Sequence, residues 1–248
     1  MVRILLAGLC ILWGLSVPCP AAERTLTIAT INAPPFSAEF LDKNGYGCDV
    51  VVQAFARAGY TAEIRFYSWN RSLEMCKQGL VDGVMPVWQT PERSAVFEFS
   101  DSLPLPYIMG IYKKKEIKVV TGGNYVLTPF RVGYVFGYAY PRAFYTITEG
   151  VVVDHSYSVA EMIEKLVKGR IDAAVVGRRQ GDFILSREWS GQRHRFDFVA
   201  PPIKLIPRYI GFRKKGGYGS VIADFNRGLE AIRADGTLDR ILSAHGIE

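Results

Sequence analysis

Two α/β lobes of similar design, with a cleft between them, are predicted for this chain, and three observations carry the prediction. One pattern occurs twice: residues 73–78, Gly79, Leu80-Val81, Asp82 and Gly83-Val84-Met85, then residues 162–168, Gly169, Arg170-Ile171, Asp172 and Ala173-Ala174-Val175-Val176. Each copy reads as an amphipathic helix, a glycine suited to the left-handed position past its end, an aspartate two residues on, and a strand covered on both faces. Helix-like and strand-like segments also alternate along the chain, which implies mostly parallel sheets. Finally, Leu103-Pro104-Leu105-Pro106 interrupts that alternation and is a natural crossing point between lobes.

The elements follow in order. Residues 25–30 alternate and are β-rich, so they form the first strand, and Asn32-Ala33-Pro34-Pro35-Phe36 is a loop that cannot be helical. A helix over 48–58 is ended by Gly59; a strand over 61–67, with Trp69 at its edge, and a helix over 71–78 come next. The strand over 81–87 is expected to be broken by Pro86. Thr90-Pro91-Glu92-Arg93 opens a short helix, with threonine as cap and proline at the first helical position. Beyond the crossing, strands are expected over 107–112 and 131–135. The glycine loop Phe136-Gly137-Tyr138-Ala139 then leads to a helix starting near Pro141. A strand over 151–154, a helix over 158–168, a strand over 171–176 and a helix over 182–189 follow. A strand over 209–213, the turn Gly216-Gly217-Tyr218-Gly219 and helices over 221–234 and 238–245 finish the chain. The first lobe thus comprises 23–106 and 215–248, the second 107–214, and two chain crossings make a hinge.

The 248 residues are 49% hydrophobic and 22% charged, which suits a globular protein of one or two domains. Residues 1–22 stand apart. Arg3, an apolar run over 4–17 and Cys19-Pro20-Ala21-Ala22 have the grammar of a secretory signal peptide cleaved near Ala22. The run is shorter than the ~20 residues that span a bilayer, and Pro18 fits lipoprotein processing poorly, so a soluble periplasmic protein is expected. Removing Arg3 leaves 29 basic against 24 acidic residues, and the charges are scattered. The only tight run, Lys113-Lys114-Lys115, reads as a solvated strand end, and export argues against nucleic acid as a partner. Cys48 and Cys76 lie on apolar stripes of the first two helices, which right-handed crossovers place on opposite sheet faces, so free buried thiols are expected.

Arg93 is the sharpest candidate for binding. In the first turn of a helix the macrodipole disfavours a cation, and a carboxylate taken bidentately would compensate. Pairing with Glu92, Glu98 or Asp101 is the structural alternative. Trp69 lies at the sheet edge where open α/β sheets bind ligands and can wall a pocket. Arg71 adds positive field or is a surface cation. The loop around Gly137 and Tyr138 leads from a strand into a helix, where exposed amides hold anions. Catalytic patterns are sparse: His155, His194 and His245 are scattered without metal-ligand spacing, and neither a Gly-x-Ser-x-Gly elbow nor a phosphate-binding loop occurs. No metal or cofactor is expected.

Together these residues resemble the family 3 extracellular solute-binding proteins, the polar amino-acid receptors of ABC importers, over essentially the whole chain after residue 22. Gly45-Tyr46-Gly47-Cys48-Asp49-Val50 resembles the family's opening of the first helix, and Thr90-Pro91-Glu92-Arg93 with Phe99-Ser100-Asp101 its most specific signature. Arg131-Val132-Gly133 is similar to the start of its second lobe, and Ala234-Asp235-Gly236-Thr237-Leu238 to its near-terminal helix junction. The resemblance implies a type II periplasmic-binding-protein fold, a ligand carboxylate gripped by Arg93 and an aromatic contact from Trp69. The candidate ligand-binding set is Arg93, Trp69, Phe36, Trp88, Tyr138, Gly137, Arg178 and Arg71.

Departures from the family's pattern narrow the ligand. Members that bind α-amino acids usually carry an aspartate where this chain has Gly177, followed here by Arg178 and Arg179; that aspartate holds the α-ammonium. Tyr138 stands where a small hydroxyl residue is usual, and the segment 82–93 is about one residue short. A carboxylate-bearing solute fits the remaining positive groups better than a standard zwitterion. The expected function is a monomeric receptor that delivers such a solute to a membrane permease. Two alternatives stand beside it: an enzyme on the same scaffold, like the cyclohexadienyl dehydratases that resemble these receptors, and a ligand-sensing adaptor for a separate membrane partner. The first needs a cleft acid, and Gly177 removes the likeliest one.

Overall fold

The computed structural model describes residues 24–121, 125–127 and 129–247; the predicted signal peptide, with Cys19, lies outside them. The first lobe runs β1 (Arg24–Thr30), α1 (Tyr46–Arg57), β2 (Tyr60–Phe66), α2 (Trp69–Gln78), β3 (Gly83–Val87), α3 (Pro91–Ser94) and β4 (Phe97–Phe99). The chain then crosses into β5 (Tyr107–Lys114), the small hairpin β6 (Val120–Thr121) and β7 (Tyr125–Val126), β8 (Arg131–Val135), α4 (Arg142–Ile147), β9 (Val152–Ser156) and α5 (Val159–Val167). The second lobe is completed by β10 (Ala173–Gly177), α6 (Arg178–Glu188), β11 (Phe196–Phe198) and β12 (Lys204–Ile206). β13 (Tyr209–Arg213), α7 (Gly219–Ala234) and α8 (Thr237–Ala244) return to the first.

The two main sheets have one topology. The first is ordered β2-β1-β3-β13-β4 and the second, read from its far edge, β9-β8-β10-β5-β11. In each, three parallel strands are followed by an antiparallel strand that has just arrived from the other lobe, β13 in one and β5 in the other. The repeated pattern falls at matching places: Gly79 after α2 has φ +76° and Gly169 after α5 has φ +72°, backbone that a side chain would strain. Asp82 and Asp172 then precede the central strands β3 and β10, whose exposed faces are covered by helices.

Packing follows the apolar pattern. In the first lobe Ile28, Phe55, Phe212, Phe225 and Leu229 pack between the sheet and α1, α7 and α8, while Cys76, Val84 and Phe97 pack on the other face. Cys48 belongs to the first of these clusters and Cys76 to the second, and both are free, as the opposite-face argument requires. In the second lobe Met162, Ile163 and Leu166 of α5 meet Ile184 and Leu185 of α6 over the sheet. No helix among the described residues is long and apolar enough to cross a membrane.

Four expectations need correction. Trp69 does not end the second strand; it opens α2, because Ser68 already has the extended geometry of a cap. Pro86 does not break the third strand. It lies beyond the β1 pairing at Gly83 and Val84 and opposite an irregularity between Tyr209 and Gly211, where no ladder bond needs its missing N–H. α6 begins at Arg178, directly after β10, rather than at 182. The strand Tyr209–Arg213, placed from sequence in the second lobe, is hydrogen-bonded in the first sheet, so the return crossing lies upstream of it at Pro207-Arg208 rather than at 214. There the two crossings run side by side: Leu103 N–H donates to the Arg208 carbonyl at 2.7 Å and Ser100 N–H to that of Ile210 at 3.0 Å.

Candidate functional site

A partly open cleft lies between the lobes, with about 700 Å³ of empty space that includes open solvent. Its walls come from segments that follow the C-terminal ends of parallel strands, the edge where open α/β sheets bind ligands. The loop after β1 supplies Phe36, the start of α2 Trp69, and the segment after β3 Trp88 and Arg93. From the second lobe Tyr138 follows β8, and Gly177, Arg178, Arg179 and Gln180 close β10 and open α6. Pro106, Tyr107 and Arg208 enter from the crossings.

Arg93 is half-buried and held from three sides. Thr90 caps α3 by accepting from the Arg93 N–H through Oγ1 at 3.2 Å, Arg93 Nη1 donates to the Trp88 carbonyl at 3.0 Å, and its guanidinium carbon lies 5.0 Å from the centre of the Trp69 ring. Among the described residues no carboxylate pairs with it, so Glu92, Glu98 and Asp101 do not neutralise it. Burial lowers the pKa of this guanidinium, an effect that Glu92 opposes. The guanidinium therefore lines the cleft, fixed by the Trp88 carbonyl and the Trp69 ring, with no carboxylate partner among the described residues. Trp69 thus has a double role: it lines the cavity and carries the arginine.

The aromatic wall spans both lobes. Trp88 sits 5.2 Å from Tyr107 and 5.8 Å, edge to face, from Tyr138. Burial pushes the Tyr138 phenol up to about 12 and the Tyr107 phenol well above its usual range, so both stay neutral. Tyr107 explains Gly177. The Tyr107 Oη accepts from the Gly177 N–H at 2.7 Å, and its ring covers the glycine so closely that a Cβ there would lie 2.3 Å from a ring carbon.

Arg208 is the feature that sequence reasoning missed. It is 5% exposed, donates through Nη2 to the Tyr46 hydroxyl at 2.8 Å and the Leu105 carbonyl at 2.5 Å, and stacks 4.0 Å over the Phe36 ring. Its Nε is buried with no acceptor, and no carboxylate pairs with it among the described residues. The available signal was Pro207 beside it, matching Pro106 beside Tyr107: a residue next to a crossing proline is carried to the mouth between the lobes.

Of the eight sequence candidates, Arg93, Trp69, Phe36, Trp88, Tyr138 and Arg178 line the cavity. Arg178 is exposed, 3.8 Å from Asp182. Gly137 is exposed and only borders the site through Tyr138, and Arg71 stacks on Tyr67 at 5.0 Å away from it. The lining contains four arginines and no aspartate or glutamate. No group of histidine, cysteine and acidic residues that could hold a metal occurs among the described residues.

Known structures share this architecture. An arginine transport-system periplasmic binding protein from Legionella pneumophila is 21% identical, with 90% of this chain and all of that one covered and a TM-score of 0.73. The GluR0 ligand-binding core from Nostoc punctiforme, solved with L-glutamate, is 18% identical over 88% of this chain and 98% of that one, TM-score 0.73. An ancestral arginine-binding protein bound to arginine is 24% identical over 90% and 98%, TM-score 0.72. At these identities the likeness establishes the type II two-lobe fold and no more. No curated protein matches the chain significantly. Residues 26–246, which span both lobes and both crossings, match one family throughout, and the chain belongs to the bacterial extracellular solute-binding proteins, family 3.

Proposed function

We propose that this protein is an exported receptor that closes its two lobes around a small carboxylate-bearing solute and delivers it, as a monomer, to the permease of an ABC-type importer. The observation that carries this reading is Arg93, anchored by Thr90, Trp88 and Trp69, without a carboxylate partner among the described residues, and lining a cavity between lobes. Closure is a population shift toward the state in which both lobes touch the ligand, and the paired crossings at 103–105 and 208 are the hinge. The absence of carboxylates from the lining supports a binding role over acid–base elimination.

Thermal unfolding with a broad panel of amino acids and organic acids tests this. A ligand present at 100 times its dissociation constant adds about 2.7 kcal/mol to the folded state, and Arg93→Ala should remove the rise. A chain that unfolds at one temperature whatever acid is present would overturn the receptor reading.

A further inference from the structure

We infer that the cleft takes a dianionic organic acid without a free amine, one carboxylate meeting Arg93 and the second Arg208. This rests on the receptor reading and narrows its substrate. Three features of the cavity lead to it.

The first is charge. Four guanidiniums line the cavity with no acid among them; Arg178 is exposed and pairs with Asp182 outside the lining, while Arg93 and Arg208 have no carboxylate partner among the described residues. An ammonium entering such a space would lose water and find no counter-ion, which buried charges do not tolerate. A second negative charge on the ligand meets the opposite situation.

The second is shape at Gly177. The Tyr107 ring lies over that glycine and its hydroxyl takes the glycine N–H, so the place beside the end of β10 is filled by an aromatic edge. No acidic side chain can be mounted there without moving the ring. An acid that could pair with a ligand amine is therefore excluded at the end of β10 by packing.

The third is Arg208. It is more than nine-tenths buried and, among the described residues, shares no hydrogen-bond or ring partner with Arg93 and lacks both a carboxylate partner and an acceptor for Nε. Tyr46, Leu105 and Phe36 hold its guanidinium in place at the cavity wall. A buried arginine with unspent donors is an anion site awaiting its anion. The same lining carries Phe36, Trp69, Trp88 and Tyr138, which suit a flat, unsaturated body.

The experiment is calorimetric titration of the exported chain with isophthalate, benzoate, L-phenylalanine and L-glutamate, repeated on Arg208→Lys. Isophthalate is expected to bind at least about tenfold more tightly than benzoate, with both amino acids weaker still. Arg208→Lys keeps the charge but loses the fork, and should weaken isophthalate by about tenfold while changing benzoate less than about threefold. Benzoate matching isophthalate, either amino acid binding best, no binding of either acid, or Arg208→Lys weakening both acids alike would each overturn the inference. If the variant does not fold, the wild-type order of the four ligands still decides. Tight binding of an amino acid would sink this inference and leave the receptor reading standing, whereas silence across the wider panel would sink both.

Discussion

Asp82 and Asp172 hold the same pair of hydrogen bonds in the two lobes. Asp82 accepts from the Thr27 N–H through Oδ2 at 2.7 Å and gives its own N–H to the Thr27 carbonyl at 2.9 Å. Asp172 accepts from the Arg131 N–H at 2.8 Å and returns its N–H to the Arg131 carbonyl at 2.8 Å. Each aspartate thereby ties the entry of a central strand to the neighbouring parallel strand, which is why the residue recurs at one spacing after the helix-ending glycine.

The two sites differ in one respect that can be measured. Asp82 also accepts from the Tyr218 hydroxyl at 2.8 Å, linking β3 to the start of α7. Asp82→Ala is expected to cost about 2–3 kcal/mol and Asp172→Ala about 1–2 kcal/mol, since hydrogen bonds to charged groups are worth roughly 1.5–3 kcal/mol. Urea unfolding of the two variants checks the order; equal losses would mean that the Tyr218 bond contributes nothing.

Gly177 is predicted to tolerate no side chain. A methyl group there meets the Tyr107 ring at 2.3 Å, and because that ring packs on Trp88 and its hydroxyl accepts the Gly177 N–H it cannot swing away freely. Gly177→Ala should destabilise by about 1–3 kcal/mol, as overpacking does. Tyr107→Phe, which removes only the acceptor of the Gly177 N–H, should cost about 1 kcal/mol. Thermal melts of both variants decide this.

Trp88 and Tyr138 form one of the contacts between lobes, edge to face at 5.8 Å. Such pairs contribute about 0.5–1.5 kcal/mol beyond their buried area. Trp88→Ala is therefore expected to shift the chain toward open forms, with a larger radius of gyration in solution scattering and weaker ligand binding. An unchanged scattering profile would show that the lobes are held by other contacts.

Burial pushes the Cys48 and Cys76 thiols up to about 12 from 9.0, so the folded chain keeps both protons while the unfolded chain loses them. Above pH 9 the unfolded state binds fewer protons, which makes the slope of stability against pH negative. Stability should fall between about pH 9 and 12, each thiol contributing at most about 1.4 kcal/mol per pH unit. Cys48→Ser/Cys76→Ser should flatten that fall. At pH 8 a thiol reagent should react with neither cysteine until the chain is unfolded.

The legible parts of this fold are those set by short-range pattern. The repeats at 73–85 and 162–176, the capped turn at Thr90-Pro91 and the amphipathic helices are local relations among neighbours, and they reappear as α2–β3, α5–β10 and α3. The errors were also local. Trp69 opens α2 rather than ending a strand, and α6 begins at Arg178 rather than 182, although an arginine pair at a helix start opposes the macrodipole. At Pro86 the expected break did not occur, because only the register of β13 shows that no ladder bond is lost there.

By itself the amino-acid order determined two α/β lobes, the opposite-face placement of Cys48 and Cys76, and an arginine in the first turn of a short helix. Periodicity, capping and crossover handedness act within a few turns of chain and need no partner from afar. Only the tertiary structure decided that Tyr107 fills the space over Gly177, that Arg208 lies buried over Phe36, and that Arg71 faces away. The first two of those relations join residues at least 70 positions apart, across crossings whose path depends on packing of the whole sheet. No local preference of tyrosine, glycine or arginine encodes them.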